Sequence, residues 1–132
     1  RLGLTERVEI IERAAHRSTL MAKACGLVMP FRVSFGQVSP PITLLEAFRC
    51  GVPVIITRSP AVADFGEDGK SVLHVHAEDE ADLIEKMRWI IDHPELAQEM
   101  RRRQQNSWKR ELATVDMDEF YRSLLNGQKR IL

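Results

Sequence analysis

The residues that could bind an anion lie where an irregular polar segment meets the start of a helix. The segment runs from Pro30 to Ser39, and helix-forming residues follow from about Pro41 to Cys50. Proline tolerates the first helical turn because its missing N–H would have no partner there, and Gly51 can take the left-handed conformation that ends a helix. The first N–H groups of a helix and its dipole attract negative charge. This junction is therefore the predicted site for an anionic ligand.

Two further groups of side chains could bind ligands, and each has a simpler explanation. His74 and His76 alternate along a predicted strand, so both would lie on one face and could serve a metal ion. No third ligand accompanies them in the sequence, which favours ordinary histidines. The basic run Arg101-Arg102-Arg103 could form a surface for an anion or a lipid, but Glu99 and other acids share its predicted helix. That mixture favours a solvated charged face, and no metal or cofactor site is predicted.

Short apolar runs predict four strands that would position the anion site. The predicted strands are Val8–Ile11, Leu27–Met29, Pro53–Thr57 and Ser71–Val75. Helix-forming segments separate the first three of them, and this alternation favours an α/β fold with a mostly parallel sheet. In such sheets, ligands bind beyond the carboxyl ends of the strands. The segment from Pro30 to Ser39 follows the second strand and therefore lies at the expected binding edge.

From Glu80 onward the pattern changes to helices. Apolar residues at spacings of three and four predict a helix that ends near His93. Its apolar stripe consists of Leu83, Ile84, Met87, Ile90 and Ile91. A charged helix from Glu95 to about Glu111 and a short amphipathic helix from Asp116 to Asn126 are expected to follow. We expect one partial domain over residues 1–132, with an α/β sheet portion (1–79) and a helical C-terminal tail (80–132).

The composition of the 132-residue chain limits its partners and its location. Lys and Arg number 19, as do Asp and Glu, so bulk charge does not favour nucleic acid or an anionic membrane. Cys25 and Cys50 are too few for a disulfide framework, which favours a cytoplasmic setting, and we expect them to be buried at helix ends. No apolar run approaches the roughly 20 residues of a transmembrane helix. The chain does not begin with methionine, so we expect further sequence before residue 1.

The segment Thr43–Thr57 resembles the signature of the large family of retaining glycosyltransferases that includes glycogen synthases, sucrose synthases and many mannosyltransferases. In that family a Leu-Glu-Ala-Met-Ala-x-Gly helix is followed by a Pro-Val-Val-Ala-Thr strand. Residues 45–57 match this pattern nearly position for position. Weaker matches at residues 1–8, 25–30, 67–75 and 92–96 occur in the family's order. The resemblance covers about residues 1–111.

The resemblance implies the carboxy-terminal, partial Rossmann-like domain of a GT-B enzyme of carbohydrate biosynthesis, which transfers a hexose from a nucleoside-diphosphate sugar to an acceptor. Glu46 matches the family glutamate that accepts hydrogen bonds from ribose hydroxyls. The N–H groups of Ile42 and Thr43, with the Thr43 hydroxyl, are the expected phosphate donors. Ser39 and Asp64 are further expected contacts of the nucleotide sugar. Such enzymes need no bound metal, since the helix dipole and basic side chains stabilise the leaving diphosphate.

The sequence departs from the family pattern where the donor sugar would bind. Val38 stands at the family's first glutamate, and Ser39-Pro40-Pro41 replaces a Gly-Phe-Gly turn. The segment 60–64 replaces Gly-Gly-x-x-Glu, although Asp64 keeps an acid at its end. A second hypothesis is therefore a noncatalytic GT-B-like binding or scaffold protein that has lost donor recognition, and a third is another GT-B-like enzyme, such as a sugar-nucleotide epimerase. Under these alternatives Glu46 would be a helix-capping or solvated residue and Asp64 a turn-stabilising one.

The family's strand order makes the first predicted strand an edge without a partner. In the order 3-2-1-4-5-6, two strands would lie between Val8–Ile11 and Leu27–Met29. We therefore expect Val8–Ile11 to pack irregularly, to pair with a second copy in a homodimer or by strand exchange, or to be completed by a missing amino-terminal segment. The acceptor site would lie in a missing amino-terminal domain. The isolated chain is then expected to be inactive, and its parent to be cytoplasmic, with a peripheral position at the inner membrane face left open.

Overall fold

The computed structural model describes residues 4, 6–12, 16–32, 41–63 and 65–112, with side chains in the last helix up to residue 106. It contains three strands and four helices within these ranges. In chain order the elements are α1 (Arg17–Lys23), β1 (Leu27–Met29), α2 (Ile42–Cys50), β2 (Val54–Thr57), β3 (Leu73–Val75), α3 (Glu80–Asp92) and α4 (Pro94–Leu112). None of the described helices combines the length and the apolar character needed to cross a membrane.

The three strands form a parallel sheet in the order β1-β2-β3. Leu27 pairs with Val54 at one side of the central strand, and Ile55 pairs with Leu73 at the other. Every residue of β2 is buried, as expected of a strand covered on both faces. The α/β class and the parallel sheet predicted from the sequence are confirmed.

Alternate residues of β2 enter two separate cores, because successive side chains of a strand point to opposite faces. Val54 and Ile56 pack with Leu44, Phe48 and other residues of α1 and α2. Ile55 packs on the opposite face, in a cluster with buried residues of α3 and α4. The sheet therefore lies between two helical layers, and complete burial of each such aliphatic side chain contributes about 1.5–3 kcal/mol.

The predicted strand at Val8–Ile11 is wrong for this structure. No strand is formed there, and β1 pairs only with β2 among the described residues. Val8 is 56% exposed and Ile10 is 86% exposed, so these side chains bury little apolar surface. A strand requires a neighbour for its backbone hydrogen bonds, and β1 does not provide one for this segment. The expectation of about four strands is corrected to three described strands. The absence of a strand at Val8–Ile11 agrees with the family's strand order, in which this segment does not pair directly with β1.

The ends of α2 and α3 follow their sequence signals. Pro41 occupies the N-cap of α2, and Gly51 ends the helix in the left-handed conformation with φ of 64°. In α3 the Asp79 carboxylate accepts a hydrogen bond from the Asp82 N–H, which satisfies one of the first N–H groups of the helix. The predicted apolar stripe of α3 is only partly used. Ile90 is buried, whereas Ile84, Met87 and Ile91 are exposed.

Helix α4 closes the edge of the sheet at which the strands begin. The Arg101 guanidinium donates to the backbone oxygens of Ala24 at 2.8 Å and Gly51 at 3.3 Å. The buried Gln104 side chain donates to the backbone oxygen of Ser71 at 2.7 Å. These three carbonyls precede β1, β2 and β3 respectively. One helix therefore connects the chain segments that lead into all three strands. We call this side of the sheet, where the strands begin, the amino edge.

Candidate functional site

The amino end of α2 lies at the opposite, carboxyl edge of the sheet. Pro41 has no side-chain cap hydrogen bond, and its carbonyl accepts from the Leu44 N–H at 2.9 Å. A proline side chain carries no acceptor for the N–H groups of Ile42 and Thr43. Ile42 is 72% exposed and Thr43 is partly exposed. This helix end can therefore present N–H groups and a positive dipole end to an anion.

Glu46 lies one helical turn beyond this end and is held by a residue that the sequence did not single out. Its Oε1 accepts a hydrogen bond from Arg17 Nη2 at 3.1 Å. The other oxygen, Oε2, is buried and has no hydrogen-bond partner among the described residues. The Glu46 side chain is 35% exposed and that of Arg17 is 58% exposed. The pair is thus partly exposed to solvent, whereas Oε2 is enclosed and keeps unused acceptor capacity.

A second unpartnered oxygen follows the central strand. Ser59 comes two residues after β2 and is 6% exposed, yet its Oγ has no partner among the described residues. Its backbone oxygen accepts from the Val62 N–H at 3.0 Å, which orders the turn that follows. Buried polar groups are normally hydrogen-bonded, so such an oxygen is a candidate ligand contact. A single serine in a loop gave no signal in the sequence.

A cleft of about 300 Å³ opens where the strands end. Pro30, Thr57 and Val75 line it at the ends of the three strands, together with acidic residues that lead into α3. Among these acids, Glu78 has a left-handed backbone with φ of 61°, and its carboxylate is 3.9 Å from Arg32 Nε. Acids outnumber bases in the lining. The cleft therefore suits an uncharged, hydroxyl-rich group better than a phosphate.

The wall of this cleft contains a group that could coordinate a metal ion. Ligand atoms of His76, Asp79 and Asp82 lie within 4.8 Å of one another. Asp82 Oδ2 is already within 2.9 Å of both the His76 N–H and the His76 Nδ1, and Asp79 accepts from the Asp82 N–H. The hydrogen bond from the His76 N–H, reinforced by the imidazole, holds the pKa of Asp82 below its usual value. These contacts are accounted for by capping of α3, and the predicted absence of a metal stays a prediction.

The two histidines do not form the pair that strand alternation suggested. The side chain of His74 is 5% exposed and its Nδ1 is 3.6 Å from Asp68 Oδ1, whereas that of His76 is 82% exposed beyond the end of β3. Asp68 Oδ1 also accepts from the His74 N–H at 2.9 Å. The two side chains therefore have different surroundings, one buried in β3 and the other exposed beyond its end. Sequence spacing missed this because β3 ends between them.

The basic run in α4 divides into two roles. Arg101 is bound to backbone carbonyls at the amino edge, as described above. Arg102 and Arg103 both donate to the carboxylate of Glu99, at 2.9 Å and 2.8 Å, and these bonds lower the pKa of Glu99 to about 2. Arg102 and Arg103 thus belong to the solvated charged face that the sequence favoured, and Arg101 does not.

Some of the other predicted site residues are described by the structure, and two are not. Ile42 and Thr43 lie at the start of α2 and Glu46 lies one turn further along the same helix, while Ser39 and Asp64 lie outside the described residues. The expected burial of the cysteines is wrong for Cys25, which is exposed, and Cys50 is partly buried.

Comparison with known proteins supplies an independent line of evidence. A family model described as glycosyl transferases group 1 matches residues 1–93 of the 132. This match includes α1, α2, the whole sheet and α3 up to its last residue. No curated protein matches the sequence.

Proposed function

Because this chain belongs to the group 1 glycosyltransferases, we propose that it supplies the part of a sugar transferase that holds the nucleotide of a nucleoside-diphosphate sugar. The observation that carries the proposal is the accessible Glu46 carboxylate beside the uncapped start of α2. A carboxylate can accept hydrogen bonds from the two neighbouring hydroxyls of a ribose, and a helix start can bind a diphosphate.

The diphosphate would bind to the first turn of α2. Hexose transfer breaks the bond between the sugar C1 and the phosphate oxygen, and the bonding electron pair leaves with the diphosphate. An acceptor hydroxyl oxygen forms the new bond to C1, and its proton is released. The N–H groups of Ile42 and Thr43, with the Thr43 hydroxyl, would stabilise that added negative charge. Ser39 and Asp64 remain proposed contacts on the strength of the family pattern alone. We assign no catalytic residue to this chain, so it should bind nucleotide without transferring sugar by itself.

The hexose would bind in the cleft of about 300 Å³ that opens at the same edge of the sheet. Glu78 and Glu80 are among the residues that line this cleft. Carboxylates accept hydrogen bonds from hydroxyls and repel phosphate, so the cleft favours the sugar over the diphosphate. The acceptor and the groups that act on it would belong to another domain of the parent protein.

The noncatalytic alternative rests on two residues. Val38 occupies the position of the family's first glutamate and cannot accept a hydrogen bond. Pro41 at the N-cap of α2 has no N–H to offer a phosphate. A protein with these residues could keep the fold as a binding or scaffold module without recognising the sugar.

Calorimetric titration separates the two functions. UDP, GDP, ADP and their hexose conjugates would be titrated into the chain and into its Glu46→Ala variant, with Glu99→Ala as a control that removes an equally exposed glutamate from α4. We expect one nucleotide series to bind and Glu46→Ala to weaken its binding at least tenfold, since charged hydrogen bonds contribute about 1.5–3 kcal/mol. Glu99→Ala should leave the affinity unchanged. Absence of binding by every nucleotide would refute the donor-binding proposal and favour the scaffold.

A further inference from the structure

Glu46 is held from one side only. Arg17 Nη2 donates to Oε1 at 3.1 Å, and Oε2 is buried without a partner among the described residues. An unsatisfied buried carboxylate oxygen carries a desolvation penalty. The two oxygens of this carboxylate are therefore not equivalent, because Oε1 is bound by Arg17 and Oε2 is enclosed without a hydrogen-bond partner among the described residues.

The partner comes from a different helix. Arg17 is the first residue of α1, 29 positions before Glu46, and α1 and α2 pack together on one face of the sheet. Within the described parts of the chain, Arg17 makes no ion pair other than that with Glu46. Its contact thus restricts the rotation of the glutamate side chain.

We propose that Arg17 is a positioning residue that holds Glu46 through Oε1 and thereby fixes the orientation of the carboxylate that would accept hydrogen bonds from the ribose hydroxyls of the nucleotide. This rests on the proposed function, since it names the residue that orients the ribose acceptor. Arg17 itself does not touch the ribose. Its contribution should therefore depend on the ribose hydroxyls rather than on the phosphates.

Paired ribonucleotides and deoxyribonucleotides test this dependence. UDP, GDP and ADP would be titrated beside dUDP, dGDP and dADP, which lack one of the two hydroxyls. The variants are Arg17→Ala, Arg17→Lys and Glu46→Gln, with Arg103→Ala as the control that removes an arginine paired with a glutamate elsewhere on the surface. The measured quantity is the ratio of the deoxyribonucleotide Kd to the ribonucleotide Kd.

We expect Arg17→Ala to weaken ribonucleotide binding about 5- to 10-fold and to change deoxyribonucleotide binding little, so that the ratio falls. In Arg17→Lys the ratio should fall less than in Arg17→Ala, since the lysine ammonium group can still donate to Oε1. Removing Arg17 in the Glu46→Gln background should cause little further loss, because residues that act through one another are not additive. Arg103→Ala should leave both affinities unchanged.

Three results would overturn the inference. Unchanged affinities for both nucleotide types in Arg17→Ala would show that Glu46 does not need Arg17, while the binding proposal itself would stand. An equal loss for both nucleotide types would assign Arg17 to the phosphates or to stability, and thermal unfolding of the variant would distinguish these. Absence of any nucleotide binding by the unaltered chain would refute the proposed function and this inference together.

Discussion

The two edges of the sheet differ in how their polar groups are hydrogen-bonded. At the amino edge, Arg101 and Gln104 of α4 donate to carbonyls that precede all three strands. At the carboxyl edge, Glu46 Oε2 and Ser59 Oγ are buried without partners among the described residues. The amino edge is therefore built for stability, whereas the carboxyl edge retains unused hydrogen-bonding capacity. In parallel sheets, ligands bind at the carboxyl edge, and these two unsatisfied oxygens lie there.

Other polar groups depart from this pattern. Gln104 Oε1 is buried without a partner at the amino edge, and both ring nitrogens of His74, within β3, are buried without a hydrogen bond among the described residues. Asp82, at the carboxyl edge, has its Oδ2 bound by His76. Glu46 and Asp82 thus form an instructive pair, because both are carboxylates at the same edge and only one keeps a buried, unpartnered oxygen. Substitutions at the two edges should therefore separate stability from ligand binding.

The largest effect on stability is expected from Arg101→Met. The variant removes charge-assisted hydrogen bonds to the carbonyls of Ala24 and Gly51 and should lower the free energy of unfolding by about 2–3 kcal/mol, as measured by urea denaturation. Nucleotide affinity should be unchanged. Arg103→Met is the matched control, because Arg103 bonds only to the partly exposed Glu99 among the described residues, and it should change stability little. Equal losses in the two variants would contradict a special role for the amino edge.

A smaller loss of about 1–2 kcal/mol is expected from Gly51→Ala. Gly51 has φ of 64°, a conformation that costs an L-residue about 1 kcal/mol or more, and an added Cβ would lie 2.6 Å from Gln105 Nε2. The double variant with Gln105→Ala separates these causes by urea denaturation. Since the end of a glutamine side chain can move, most of the loss should persist in the double variant. Full recovery of the unfolding free energy in the double variant would show that the contact with Gln105, rather than the backbone conformation of residue 51, causes the loss of stability.

The smallest change, about 1 kcal/mol at neutral pH, is expected from Asp82→Asn. The folded-state pKa of Asp82 is lowered, so its ionised form adds stability above its usual value near 3.8, and that stability is lost as the pH falls through the lowered pKa. The difference in unfolding free energy between the native chain and the variant should therefore shrink below about pH 4. Nucleotide affinity should not change, in contrast to Glu46→Gln.

The variant His76→Ala tests which part of His76 lowers the pKa of Asp82. The His76 N–H is the main cause of the lowered pKa of Asp82, ahead of the imidazole. In His76→Ala the backbone donor remains, so NMR titration should still find the pKa of Asp82 below its usual value. A return to the usual value would assign the shift to the imidazole.

The order of the elements could be predicted from the sequence because their signals are local. The β-branched run of β2 and the proline and glycine that bound α2 identify these elements almost to the residue. The segment Val8–Ile11 carries the same kind of signal and forms no strand. Strand formation depends on a hydrogen-bonding neighbour, which no property of a single segment can supply.

The site could be predicted only in part. The helix start and Glu46 were found through the family pattern, together with the rule that anions bind at helix starts. Arg17 was missed because it lies 29 positions from Glu46 and has no motif of its own. Ser59 was missed because burial without a partner is invisible in a sequence. His74 and His76 alternate along the chain, but the end of β3 leaves one buried and the other exposed.

The sequence by itself determined the α/β alternation, the bounds of α2 and the identity of the carboxylate at its exposed start. These features follow from local periodicity and from the backbone preferences of proline and glycine. The tertiary structure alone decided which arginine meets Glu46, that Arg101 ties the amino edge together, and which acids are satisfied. Hydrogen bonds between distant residues depend on packing geometry, and only the folded chain specifies that geometry.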